Sequence, residues 1–187
     1  EVLENQETTE IELVRTTFTG NKGTSLSLNT CILTATEMTI QGSFDSALTL
    51  NSSAASFKDS KLHDNVGLSA GGAAYVPNNS VLELVNCVLV NNSAGVMGGA
   101  VFVERDSRLL AYQTTFSENK SKEGGALYLY LNSMKSELQS CSIAFNQSNK
   151  SGSVYLELSS LELSNCSLQS NIETNGSPGL NSYDSTV

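Results

Sequence analysis

Apolar and polar residues alternate along this chain in short runs, as at Leu82 and Leu84, then Cys87 and Leu89, then Val101 and Val103. Alternation with a period of two marks strands that bury one face. No stretch keeps helical spacing for three turns, so the pattern predicts almost no helix. The runs return on a fixed beat. Gly71-Gly72-Ala73-Ala74-Tyr75-Val76, Gly98-Gly99-Ala100-Val101-Phe102-Val103 and Gly124-Gly125-Ala126-Leu127-Tyr128-Leu129 share one pattern, and Ser151-Gly152-Ser153-Val154-Tyr155-Leu156 keeps it. The second glycine falls at 72, 99, 125 and 152, and Gly179 lies a further 27 residues on. A second marker, an apolar residue followed three later by Asn, keeps the same time at Leu62/Asn65, Leu89/Asn92, Phe116/Asn119, Ile143/Asn146 and Leu168/Asn171.

Two independent markers on one period identify a repeat, and repetition outranks local reading. Strands that recur every 27 or so residues cannot pair as hairpins if every copy is to be equivalent. They can stack if each copy is one turn of a coil, paired in parallel with the next. The expected fold is all-β: a right-handed parallel β-helix of about seven rungs, roughly 27 residues and three short strands per rung, on the order of 30–35 Å long at the usual strand spacing. An antiparallel β-sandwich explains the composition but not the period. Residues 1–187 read as a single domain, with less regular rungs over 1–54 and regular ones over 55–183. Between residues 23 and 45 two registers fit.

Stacking turns the repeat into columns. Leu84, Ala111, Leu138 and Leu163 are expected in one inward column, and Leu89, Phe116, Ile143 and Leu168 in another. Asn65, Asn92, Asn119, Asn146 and Asn171 are expected to form a ladder at a bend, because Asn tolerates left-handed backbone angles and its amide can bond from rung to rung. The Gly pairs mark a second bend that needs positive φ or close backbone approach.

The two markers, GGA before aliphatic and aromatic residues and FxxN, resemble the repeats of the chlamydial polymorphic outer membrane proteins. Phe18-Thr19-Gly20-Asn21 and Phe116-Ser117-Glu118-Asn119 match FxxN outright, and Gly71–Ala73, Gly98–Ala100 and Gly124–Ala126 match GGA. The likeness covers about residues 10–183, strongly from 55 onward. It implies an extracellular β-helical passenger that works in adhesion. Related repeats occur in protists and environmental bacteria, so the resemblance leaves the source open.

Composition narrows the function classes. Charged residues make up 16% and the formal charge is -9. With so few cations there is no basic face for a phosphate backbone, which excludes nucleic acid as a partner. The apolar runs are too short to span a bilayer, so no membrane insertion by this segment is expected. At 39% hydrophobic the chain has material for a core. It opens at Glu1 without an initiator Met or leader, as a processed form or a piece of a longer protein would.

Candidate chemistry is sparse. The one histidine, His63, has Lys61, Asp59 and Asp64 nearby, but this reads as a solvated turn and not as a catalytic patch. No catalytic, metal or cofactor-binding residues are assigned, and no cofactor is expected. Cys31, Cys87, Cys141 and Cys166 each precede by two the Leu or Ile of their rung. Either Cys141 and Cys166, on adjacent rungs, form a disulfide, or all four pack as small buried hydrophobes. Of the N-x-S/T sequons, those at Asn119 and Asn146 fall on the inward ladder. Asn51, Asn78, Asn91, Asn149, Asn165 and Asn175 are the glycan candidates if the source is eukaryotic. Alternation turns Tyr75, Phe102, Tyr128 and Tyr155 outward as an aromatic stripe, which reads either as a binding face or as a stabilising stack. The expected role is non-enzymatic: an extracellular or cell-surface rod for adhesion or recognition of a host or neighbouring-cell surface protein or glycan. The alternative is a segment of an extracellular fibre or coat that meets further copies of itself end to end. A polysaccharide-active β-helix enzyme comes a distant third.

Overall fold

The computed structural model describes residues 8–132 and 134–187. Residues 1–7, counted in the single domain above, lie outside the described residues. Those that are described form strands, turns and bends but no helix, and so no helix long and apolar enough to cross a membrane.

One turn of the coil shows how the sequence builds it. Ala74–Val76, Val81–Val85, Val88–Val90 and Ser93–Ala94 are successive strands, after which the chain returns to its starting face at Val101. Each strand pairs in parallel with its equivalents one turn before and after. The result is four sheets where three were expected, three of them seven-stranded and the fourth five-stranded. Sheet A runs from Thr9–Val14 to Leu161–Ser164, sheet B from Thr17–Thr19 to Ser167–Gln169 and sheet C from Leu26–Asn29 to Leu180–Tyr183. The short sheet D spans Val66–Gly67 to Ile172–Glu173.

The columns follow the repeat. Leu84, Ala111, Leu138 and Leu163 stack in sheet A, and Leu89, Phe116, Ile143 and Leu168 in sheet B. With Leu48, Leu50, Val101, Val103 and Leu127 from sheet C they fill one core that runs the length of the coil.

The amino-terminal rungs differ from the expected period. Phe18, Ile40 and Leu62 stack at intervals of 22 residues, not 27. The ambiguous stretch is thereby placed: Leu26 and Leu28 lie under Leu48 and Leu50 in sheet C, and Leu33 lies between Ile11 and Ala55 in sheet A. The missing residues are those of the sheet D strand and the turn after it; in the shorter turn Phe44 makes only an isolated bridge to Val66. From Ser43 the chain reaches sheet C at Leu48, whereas from its stacked partner Asn65 it first passes through Val66–Gly67 and reaches sheet C at Ala74.

The corners obey one rule. A residue with left-handed backbone angles turns the chain, and the next residue points its side chain inward, a small and mostly polar one except at Met38. Between sheets A and B the pairs include Asp59-Ser60, Asn86-Cys87 and Gln113-Thr114; between sheets C and A they include Ser52-Ser53, Asn79-Ser80 and Asp106-Ser107. The inward oxygen accepts the backbone N–H of its equivalent one rung earlier, as Ser53 Oγ does for Cys31, Ser80 Oγ for Ser53 and Ser107 Oγ for Ser80. Where the inward residue carries an oxygen, the corner N–H that no strand can pair is satisfied in this way.

Candidate functional site

The asparagine ladder occupies the corner between sheets B and D. Asn65, Asn92, Asn119 and Asn146 are fully buried, and each amide donates to the next carbonyl oxygen at 2.9–3.1 Å, ending on Asn171. The same oxygens accept the backbone N–H of the preceding Asn, and each amide also reaches a strand carbonyl of the rung before, as Asn119 does to Leu89. One detail departs from expectation. The left-handed residue is not the ladder Asn but the one before it: Asp64, Asn91, Glu118, Phe145 and Ser170. Asn is needed here for its two-ended amide, which bonds upward and downward at once.

The Gly pairs divide the labour at the corner between sheets D and C. Gly71, Gly98 and Gly124 have positive φ. The second glycine is required by space: a Cβ on Gly99 would stand 2.1 Å from the Gly125 carbonyl oxygen.

The cysteines do not share one register. Cys87, Cys141 and Cys166 follow the left-handed residue between sheets A and B, with Thr16, Met38, Ser60 and Thr114 in the same column. Cys31 sits at the corner between sheets C and A, stacked on Ser53, because the shorter rungs shift it out of step. All four thiols are free. Cys141 Sγ donates to the Ala111 and Gln139 carbonyls and Cys166 Sγ to those of Leu138 and Ser164, so of the two alternatives the 141–166 disulfide is not formed. Burial pushes the Cys141 thiol up to about 11 and also raises that of Cys87, which keeps both protonated and unreactive.

His63 Nδ1 pairs with Asp64, and Asp59 and Asp64 accept from Asn86 and Asn91 of the next rung. Bonds from His63 and Asn91 hold the Asp64 carboxyl below its ordinary value. Lys61 points outward from the adjoining strand. Among the described residues no group of three or more His, Cys, Asp or Glu could hold a metal ion.

The glycan candidates fall into two groups. Asn51 and Asn78 donate their amides along a second, outer ladder, Asn78 to Asn51 at 2.9 Å and Asn51 to Asn29 at 3.0 Å. Asn91 donates to Asp64. Asn149, Asn165 and Asn175 are exposed, and Asn175 donates to the Asn149 carbonyl.

The aromatic column is the most developed surface feature. Tyr75, Phe102, Tyr128 and Tyr155 stack along the outer face of sheet C with ring centroids 4.9–5.6 Å apart. They are not the open stripe the alternation suggested. Phe102 is 2% and Tyr128 4% exposed, because each ring packs against the ring above and below it, face to face for Tyr75 and Phe102 and edge-on for Phe102 and Tyr128. A second column beside them was missed from the sequence: Glu104, Tyr130, Glu157 and Tyr183. Its signal was one more step of the same alternation. The columns are cross-linked, Tyr75 donating its hydroxyl to Glu104 and Tyr128 to Glu157. Burial, then the carboxylate acceptor and its charge, push the Tyr75 hydroxyl up to about 12 and the Tyr128 hydroxyl further. Burial and the Glu157 charge also raise Tyr155.

Toward the amino terminus the column changes character. Below Tyr75 its register neighbours are Thr49 and then Ser27. The change from ring to small side chains opens a cleft of about 480 Å³, lined by Ser27, Thr49, Tyr75, Phe102, Asp45 and Glu104 among others. Leu68 and Met97, from the turns that follow sheet D, form its side.

Searches of curated proteins and of solved structures gave no match. A family model did. The right-handed β-helix region matches residues 7–186, and with the parallel stacking of every rung described, the chain belongs to that family.

Proposed function

We propose that the chain is a non-enzymatic recognition rod, secreted or displayed at a cell surface, and that the outer face of sheet C meets its partner. The observation that carries this reading is the double column of tyrosines and carboxylates on that face. Tyr130 and Tyr155 are half-buried and Tyr183 is exposed, while Glu104 and Glu157 hold neighbouring hydroxyls in place. Rigid tyrosines lose little entropy on contact and offer both apolar surface and a polar tip, which is why they gather at recognition surfaces. The resemblance of the GGA and FxxN repeats to chlamydial polymorphic outer membrane proteins supports an extracellular adhesive role. The use of the one histidine and its neighbouring carboxylates in hydrogen bonds to adjacent side chains supports the non-enzymatic part of the reading. The partner is a surface protein or glycan of a host or neighbouring cell.

The test is binding of the labelled protein to arrayed ectodomains and glycans. Retention on a small set, lost in Tyr155→Lys/Tyr183→Lys and kept in Thr115→Lys on sheet B, is the expected result. Loss from both variants, or from neither, overturns the choice of face. Sedimentation as concentration-dependent polymers would favour the end-to-end fibre instead.

A further inference from the structure

We propose that the cleft below Tyr75 receives a guanidinium group, the side chain of an arginine exposed on a partner protein. The proposal rests on the reading of sheet C as the partner-binding face and gives that face its specificity. Tyr75 is stacked on one side only: Phe102 lies nearly parallel to it, 6° off at 5.6 Å, and Thr49 is its register neighbour on the other. The ring is fixed before any ligand arrives, because its hydroxyl is bonded to Glu104. One aromatic face is thus left lining the cleft over small hydroxyl side chains.

Charge selects the ligand. Asp45 and Glu104 line the cleft, no Lys or Arg does, and the chain carries a net -9. An anionic ligand is repelled. A neutral sugar could lie on the ring but would gain nothing from the field of the carboxylates. A cation gains from both. Among cations, an ammonium is a hydrated point charge best held by aromatic surfaces on several sides, and this cleft offers one. A guanidinium is planar and weakly hydrated; it can stack on a single ring while its edge N–H groups point at carboxylate and hydroxyl oxygens. Glu104 already accepts one hydrogen bond, and an ionised carboxylate has room for more. Leu68 and Met97 suit the methylene stem of such a side chain.

The probes are an acetylated Gly-Arg-Gly amide, the same peptide with lysine, the same with citrulline (the neutral isostere), and cellotriose, each titrated while the tyrosine ring and Thr49 methyl NMR signals are followed. The arginine peptide is expected to shift Tyr75 and Thr49 with millimolar affinity, the lysine peptide to bind several-fold more weakly, and citrulline about tenfold or more weakly. Thr49→Tyr extends the aromatic column into the cleft and is expected to abolish these shifts while the fold is retained, and Tyr75→Ala to weaken binding about tenfold. Citrulline or cellotriose binding as well as arginine, shifts confined to other residues, or unchanged affinity in a folded Thr49→Tyr protein would each overturn the proposal. The two readings fail separately. If array binding survives Thr49→Tyr but not Tyr155→Lys/Tyr183→Lys, the face stands and the arginine receptor falls.

Discussion

The first turns of the coil and the later ones use the same corner rule but line it differently. In the 22-residue turns the position after sheet B holds Asn21, whose amide donates to Ser25, and then Ser43, whose hydroxyl pairs with Ser25 and whose N–H donates to Asn65. In the 27-residue turns it holds Asn, and each amide ties several strands together. The longer turns also carry sheet D, the Gly pair and the aromatic column, whereas the shorter ones carry Thr49 and Ser27 on the same face. The comparison separates two jobs. Closing a turn needs only a left-handed residue and a small acceptor. The extra residues make a locked interior and, where they stop, a cleft.

The sharpest way to break this comparison is at glycine. Gly99→Ala places a methyl against the Gly125 carbonyl and the Lys120 backbone and should cost on the order of 4 kcal/mol or prevent folding, whereas Gly23→Ala meets nothing within 4 Å and should change stability by less than about 0.5 kcal/mol. Urea denaturation of the two variants decides it; equal losses would mean that the close approach in the longer turns is not needed.

Next in size is the ladder. Asn119→Ala removes the acceptor of the Asn92 backbone and amide N–H groups and one donor to the Leu89 carbonyl, a loss of about 3 kcal/mol. Ser43→Ala in a shorter turn removes one side-chain hydrogen bond, so about 1 kcal/mol is expected. Similar losses for the two would erase the distinction between a cross-tied corner and a simple one.

Alkaline titration tests the tyrosine columns. The Tyr75 hydroxyl sits at about 12 against an ordinary 10.0. A raised acid stabilises the fold fully below the ordinary value and loses that contribution as pH climbs through the raised one. Stability should therefore decline from about pH 10 to pH 12, and less steeply in Tyr75→Phe. Tyrosinate absorbance in the folded protein should lag an unfolded control, and coincident curves would contradict the buried hydroxyl–carboxylate bonds.

The smallest effect concerns the corner itself. Phe145 has φ 58° and is 58% exposed, in the column that Gly42 occupies in a shorter turn and Asn91 in a longer one. Phe145→Asn should stabilise by about 0.5 kcal/mol, since Asn accepts left-handed angles more readily and little burial is lost. A destabilised variant would show that the exposed ring packs in a way its exposure does not suggest.

How much was legible followed from how each feature is encoded. Leu84, Ala111, Leu138 and Leu163 could be stacked from spacing alone, because a coil converts equal intervals into vertical neighbours. Cys31 was misplaced for the same reason, since the interval is shorter where it lies. Sheet D escaped notice because strands such as Val66–Gly67 are too short to show alternation. The serine ladder through Ser53, Ser80 and Ser107 left only scattered hydroxyls in a chain already rich in Ser.

Periodicity is a property of the chain, so the coil, its inward columns and the bend at the asparagines could be read without coordinates. Burial of the aromatic rings could not. Whether Phe102 meets water depends on Tyr75 and Tyr128, each a full turn away, and whether Tyr75 keeps an open face depends on Thr49 one turn earlier. Alternation tells a side chain which way to point. Only the neighbours that the winding brings alongside determine what it touches there, and so where a column closes and where it leaves a cleft.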